Sequence, residues 1–167
     1  MPTLKKELKD RLKGAKRVAI LGIGSELRSD DAVGVVIAGK LQAYIKKMKI
    51  KALKAFLGET VPENLTGEIK KFNPTHLIII DATDFQKKAG TIGIVDSCGE
   101  KGVSFSTHRM PIKFIKDYLY KSIACQTVII GIQPQSLEFC GGLSAAIQES
   151  VRMACKEISE VLKKLFE

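Results

Sequence analysis

The sequence has no apolar run near the ~18 residues that a membrane-spanning helix requires. The longest, such as LIII before Asp81, are of strand length. The opening PTLKKELKDRLKGAK is charged throughout and lacks the apolar centre of a secretory signal, so a cytoplasmic protein is expected. No C-x-x-C pair occurs among Cys98, Cys125, Cys140 and Cys155, which leaves a structural zinc or iron–sulfur site unsupported and makes reduced thiols the expectation. A serine-hydrolase elbow of the form G-x-S-x-G is also missing. Aromatic residues make up only 6% and are hardly interleaved with the basic ones, although the net charge is +9, from 27 Lys and Arg against 18 Asp and Glu. Without aromatic stacking platforms the charge argues weakly for nucleic acid. Lysines such as Lys5, Lys6, Lys9, Lys46, Lys47 and Lys49 fall on helix-like segments and read as a solvated basic surface.

What is present is a chain of 167 residues, 45% hydrophobic and 27% charged, which suits one domain over residues 1–167 with a substantial core. It contains no repeats, low-complexity tracts or linkers. Helical spacing predicts a helix over 3–13, another over 31–47 with Ser29 or Asp30 as N-cap, a short one over 62–72 and a longer one over 111–120. Pro62 opens the short helix and Asn73-Pro74 closes it. Residues 143–166 read as a long closing helix. Apolar runs predict strands over 17–22, 51–57, 76–84, 91–96 and 126–131; the unbroken VAIL and LIII indicate burial on both faces. This alternation predicts an α/β three-layer sandwich: a twisted, mostly parallel five-stranded sheet with helices on both faces.

In open α/β sheets, ligands bind outside the carboxyl ends of the strands. Asp30 and Asp31 follow the first strand, Asp81 and Asp84 lie at the end of the third, and His108 stands in FSTHRMP before a helix. Two carboxylates and an imidazole converging there would suit a divalent transition metal; capping and loop solvation are the competing reading of the same residues. His76 reads as a surface or strand-entry residue. Gly22 and Gly24 offer the G-x-G of a dinucleotide site, but Leu27 replaces the third glycine and the second strand ends in Phe56-Leu57 rather than an acid. Asp30 and Asp31 would also repel a pyrophosphate. A cysteine nucleophile paired with His108 finds no cysteine in a strand-to-helix turn.

The run LGIGSELRSDDAVG resembles the LGxGNxLxxDDGxG signature of the hydrogenase maturation endopeptidases, the proteases that trim the large subunit of nickel–iron (NiFe) hydrogenases. The likeness continues through VPENLTGEIKKFNPTHLIIIDATD, STHRMP and GIQP in the family's order. It is nearest to the hydrogenase 3, or energy-converting, branch. The resemblance implies that Asp31, Asp81 and His108 are the catalytic and metal-binding residues, with Asp30 capping and orienting the helix start. It implies nickel carried by the substrate, so that the protein alone is metal-free or holds an adventitious divalent ion. The implied partner is a NiFe hydrogenase large-subunit precursor, cut after nickel insertion to remove its C-terminal extension, by a monomer that uses neither nucleic acid nor membrane insertion. Ser25 stands in place of the signature's Asn and Ala32 in place of the Gly that follows its two acids. Glu59 replaces the second glycine of a Gly-Gly pair, either as a solvent-facing acid or as a substrate contact. Two alternatives remain at this stage: a nickel-binding accessory module without peptidase activity, and a basic nucleic-acid-binding protein.

Overall fold

Unbroken apolar runs become strands covered on both faces, and helices with one apolar stripe supply the covers. The computed structural model describes residues 3–96, 104–105 and 109–167. In chain order the elements are α1 (Leu4–Arg11), β1 (Val18–Ile23), α2 (Val33–Met48), β2 (Leu53–Glu59), α3 (Thr66–Phe72), β3 (His76–Asp84), β4 (Ile92–Val95), β5 (Ser104–Phe105), α4 (Arg109–Ile123), β6 (Gln126–Ile132) and α5 (Ala145–Phe166). Single 3-10 turns occupy Ser29–Ala32 and Pro62–Leu65. The strands line up as β2-β1-β3-β6-β4, parallel except for the antiparallel edge strand β4. The five expected strands and the three-layer arrangement are therefore present. The additional β5 pairs antiparallel with the end of β3, Thr83 opposite Phe105, and two residues are too few to show a period in sequence.

Period-two alternation sorts the core into two halves. Val18, Ile20, Ile78, Ile80, Val128 and Ile130 pack with α1, α2 and α5, while Ala19, Leu21, Leu77, Ile79 and Ile129 pack with α3 and α4. Each fully buried aliphatic side chain of this kind contributes about 1.5–3 kcal/mol before entropic costs are set against it. Helix α2 lies unusually close to the sheet: a Cβ on Gly34 would stand 2.1 Å from the Ile80 carbonyl oxygen and 2.4 Å from that of Ile23. This contact anchors the start of α2, and with it the turn that carries Asp30 and Asp31.

The strand order reverses between β1 and β3, since β1 leads outward to β2 whereas β3 leads the other way to β6. The loop after β1 and the end of β3 therefore border the switch point where such sheets open a crevice. One local expectation is corrected. The N-cap of α2 is Ala32 with no side-chain hydrogen bond, so neither Ser29 nor Asp30 caps it; both lie in the preceding 3-10 turn, where distant partners outcompete the local ones. His76 opens β3 and is buried, so it is a strand-entry residue and not a surface one. Among the described residues no helix is long and apolar enough to cross a membrane.

Candidate functional site

Asp81 continues the alternation of Leu77 and Ile79, so it belongs to the α3/α4 face, one step beyond the last fully apolar pair of the β1–β3 ladder. Its carboxylate is completely buried. Oδ1 accepts the Ala82 N–H at 2.9 Å, while Oδ2 has no hydrogen-bond partner among the described residues. Burial pushes the Asp81 carboxyl well above its ordinary value, repulsion from Asp31 pushes it further, and the Ala82 N–H offsets part of this. Such an arrangement costs the apo fold energy and invites a cation.

Asp31 comes to this place from the other side of the switch point. It lies in the 3-10 turn between β1 and α2, is also fully buried, and its Oδ2 accepts the Ser25 N–H at 2.9 Å. Gly24 makes the turn possible, because at its φ of +140° a Cβ would stand 1.8 Å from the Asp31 carbonyl oxygen. Asp31 and Asp81 are thus brought together as expected. His108, the third expected member, lies outside the described residues; it immediately precedes α4, whose Ile112 and Ile115 pack on the face to which Asp81 belongs. Among the described residues no group of three His, Cys, Asp or Glu side chains could hold a metal. The available donor set is an oxygen pair that needs a further ligand, which suits a hard or borderline divalent ion supplied with its own ligands.

Asp30 has a different task from its neighbour. Fully buried, it accepts from Gln135 N (2.9 Å), Ser136 N (3.0 Å), Ser144 N (2.7 Å) and Ser144 Oγ (2.9 Å), and its own N–H donates to the Ser136 carbonyl at 3.1 Å. Ser144 is the N-cap of α5 but makes no side-chain cap to that helix; its hydroxyl is committed to Asp30. The carboxylate therefore ties the loop after β1 to the loop after β6 and sets a negative charge near the positive end of α5. It orients a helix start, though of α5 rather than α2.

Gln133 is a member of the site's frame that sequence reasoning missed. Its Oε1 accepts from Phe85 N at 2.6 Å and Lys87 N at 3.3 Å, and its Nε2 donates to Asp84 Oδ1 at 3.1 Å, so it holds the turn that follows β3. The polar residue just past the apolar run of β6, in the motif GIQP, was the available signal. Asp84 is exposed and belongs to this turn, where its Oδ1 also accepts from Gln86 N at 2.8 Å. Glu59 is exposed with φ +51°, the left-handed region where glycine carries no penalty, and its carbonyl accepts the Gly24 N–H at 2.8 Å. Glu59 thus holds a backbone conformation that a glycine would adopt without penalty.

Of the described cysteines, Cys140 is exposed in the loop after β6, whereas Cys125 and Cys155 lie elsewhere in the fold. Cys125 is buried just before β6, at the opposite end of the strands, and its thiol is pushed up to about 11 by burial. Burial also raises Cys155, on α5. Cys98 lies outside the described residues. A groove of about 420 Å³ on the α2/α5 seam, lined by Val36, Lys40, Leu143, Val151, Arg152 and Cys155, sits on the other face of the sheet from Asp81.

Residues 35–161 match the family described as HycI, hydrogenase maturation protease. The chain is 36% identical to a Methanocaldococcus jannaschii protein assigned as a hydrogenase maturation protease, over 98% of this chain and 96% of that one. It is 30% identical to the hydrogenase 3 maturation protease of Escherichia coli over 79% and 82% of the two chains. The crystal structure of the NiFe hydrogenase maturation protease HycI from Thermococcus kodakarensis superposes with a TM-score of 0.84 at 30% identity, covering 94% of this chain and 99% of that one. The solution structure of the endopeptidase HycI from Escherichia coli gives 0.70 at 28% identity, covering 84% and 87%.

Proposed function

This chain belongs to the hydrogenase maturation protease family of peptide-bond hydrolases, and from that premise we propose that it removes the C-terminal extension of a NiFe hydrogenase large-subunit precursor once nickel is in place. The observation that carries this reading is the Asp81 carboxylate, buried beside Asp31 with Oδ2 unpartnered among the described residues. A fold seldom keeps an orphaned buried oxygen next to a second acid unless a ligand completes it. Nickel arriving on the substrate would relieve the repulsion between the two acids and give Oδ2 a partner. His108, by its place in the motif STHRMP, would supply the third ligand.

The metal is substrate, not a resident cofactor, so the purified protein is expected metal-free or with an adventitious divalent ion. Once docked, it contributes Lewis acidity toward the scissile carbonyl or a water. This chain contributes position. Asp31 is held by the Ser25 N–H, Asp81 by the end of β3, and the turn beyond it by Gln133. Neither carboxylate has accessible surface. We place the reaction in the cytoplasm and assign it to the monomer, with the hydrogenase precursor as partner and no role for nucleic acid.

The test is cleavage of nickel-loaded and nickel-free precursor by the native protein and by Asp31→Ala, Asp81→Ala and His108→Ala. Cleavage confined to the nickel-loaded form, lost in each folded variant, is the expected result. Equal cleavage of the nickel-free precursor, or active variants, would overturn the assignment. Nickel-dependent binding without cleavage by the native protein would favour the accessory-module reading.

A further inference from the structure

We propose that the loops spanning residues 25–30 and 135–142 form the docking surface for the folded body of the substrate protein, with Leu27 and Phe139 as its apolar anchors; this rests on the protease reading above. Leu27 is 68% exposed and Phe139 is 72% exposed, the two highest values for large hydrophobic side chains among the described residues. Scattered exposed apolar residues need no explanation, but these two are neighbours. The Cys140 N–H donates to the Leu27 carbonyl at 3.0 Å, and the Arg28 guanidinium lies 5.8 Å from the centre of the Phe139 ring.

The surface is built rather than slack. Ser29 and Cys140 are non-glycine residues held at φ +47° and +64°, a conformation that persists only where surroundings impose it. The Ser29 hydroxyl donates to the Glu138 carbonyl, and a Cβ on Gly141 would stand 2.4 Å from that hydroxyl oxygen. Asp30 clamps the pair from beneath through Gln135 and Ser136. Rigidity of this kind lowers the ordering cost of binding. A phenylalanine and an arginine in one preorganised patch are residue types enriched at protein interfaces, and the exposed leucine beside them adds apolar area.

Continuity with the carboxylates points to the occupant. Leu27 lies four residues before Asp31, and the Asp31 carboxylate holds Ser25 at the start of the same loop. A protein that presents a metal to Asp31 and Asp81 approaches the sheet edge that this loop borders, where Leu27 and Phe139 stand exposed. The occupant is the precursor surface surrounding its nickel, and it should carry exposed apolar side chains there.

The experiment compares the native protein with the double variant Leu27→Ser and Phe139→Ser on nickel-loaded precursor, reading KM and kcat for cleavage together with Kd by titration. Tyr120→Ser serves as control, because Tyr120 is 58% exposed but lies at the far end of α4, before β6. Loss of two anchors should raise KM and Kd about tenfold or more, with kcat nearly unchanged and the unfolding midpoint preserved. The control should leave all three unchanged. If the native protein cuts and the double variant keeps its KM and Kd, the surface assignment falls alone. If the native protein neither binds nor cuts the precursor, the protease reading falls and takes the surface with it. A concentration-dependent dimer of the native protein that the double variant abolishes would assign the patch to self-association and overturn the proposal.

Discussion

At Asp81 burial and the neighbouring Asp31 oppose ionisation together, and among the described residues one backbone N–H offsets them. The sign of the consequence follows from linkage. The carboxyl is raised in the folded state above the ordinary 3.8, so the stability it confers is complete below that value and is lost as pH rises through its folded one. The metal-free native protein should therefore lose stability relative to Asp81→Asn as pH rises above the ordinary carboxylate range, and the variant should match or exceed it at the high end while cleaving nothing. Thermal unfolding of both proteins against pH checks this; a variant that is less stable throughout would refute it. Gly34 makes the opposite kind of demand. Its missing Cβ leaves room for two carbonyl oxygens that cannot move independently, so Gly34→Ala should cost about 1–3 kcal/mol, read as a lower denaturant midpoint. Acids at this sheet edge were legible in the sequence, Asp30, Asp31, Asp81 and Asp84 alike, because they follow apolar strands of an α/β sheet; it was the family resemblance that singled out Asp31 and Asp81. The unpartnered oxygen was not, since it depends on what fails to approach in three dimensions.

At the scale of elements, the fixed point is the joint between the loop after β1, the loop after β6 and the start of α5. Asp30 receives four hydrogen bonds there from partners 105 to 114 positions away. Asp30→Ala should cost about 2–4 kcal/mol, because several buried donors lose a charged acceptor at once, and Asp30→Asn should cost less. Amide exchange should locate the damage: faster at Ser144, Ile147 and Gln148, unchanged along Leu77 to Ile80, where the parallel ladders are untouched. Uniformly faster exchange would mean that Asp30 supports the whole fold rather than this joint. The strands were readable within two or three residues because two-sided burial writes an unbroken apolar run into a chain. The capping role of Ser29 and Asp30 was misread for the complementary reason. A residue favourable as an N-cap looks the same in sequence whether its oxygen turns to its own helix or crosses to another loop.

For the whole molecule the net charge of +9 is readable from composition, but its bearing on the reaction depends on where the lysines fall. Lys46, Lys47 and Lys49 stand at the carboxyl end of α2, whose 16 residues span about 24 Å, whereas Asp31 sits just before its start. That separation exceeds two Debye lengths at physiological ionic strength, so the charges of these lysines are largely screened from Asp31 and Asp81. What they can do is add to a field that draws an acidic partner toward the protein. Lys46 and Lys47 also complement the negative end of the α2 dipole. Charge reversal of all three to Glu should therefore leave kcat unchanged, lower kcat/KM only modestly and only at low salt, and cost roughly 1–2 kcal/mol of stability through the helix end. Cleavage kinetics at two ionic strengths, beside unfolding midpoints, separate these effects. A fall in kcat/KM that persists at high salt would show that the precursor wraps far enough around the sheet to touch the end of α2, and would enlarge the docking surface from two loops to a whole flank of the molecule.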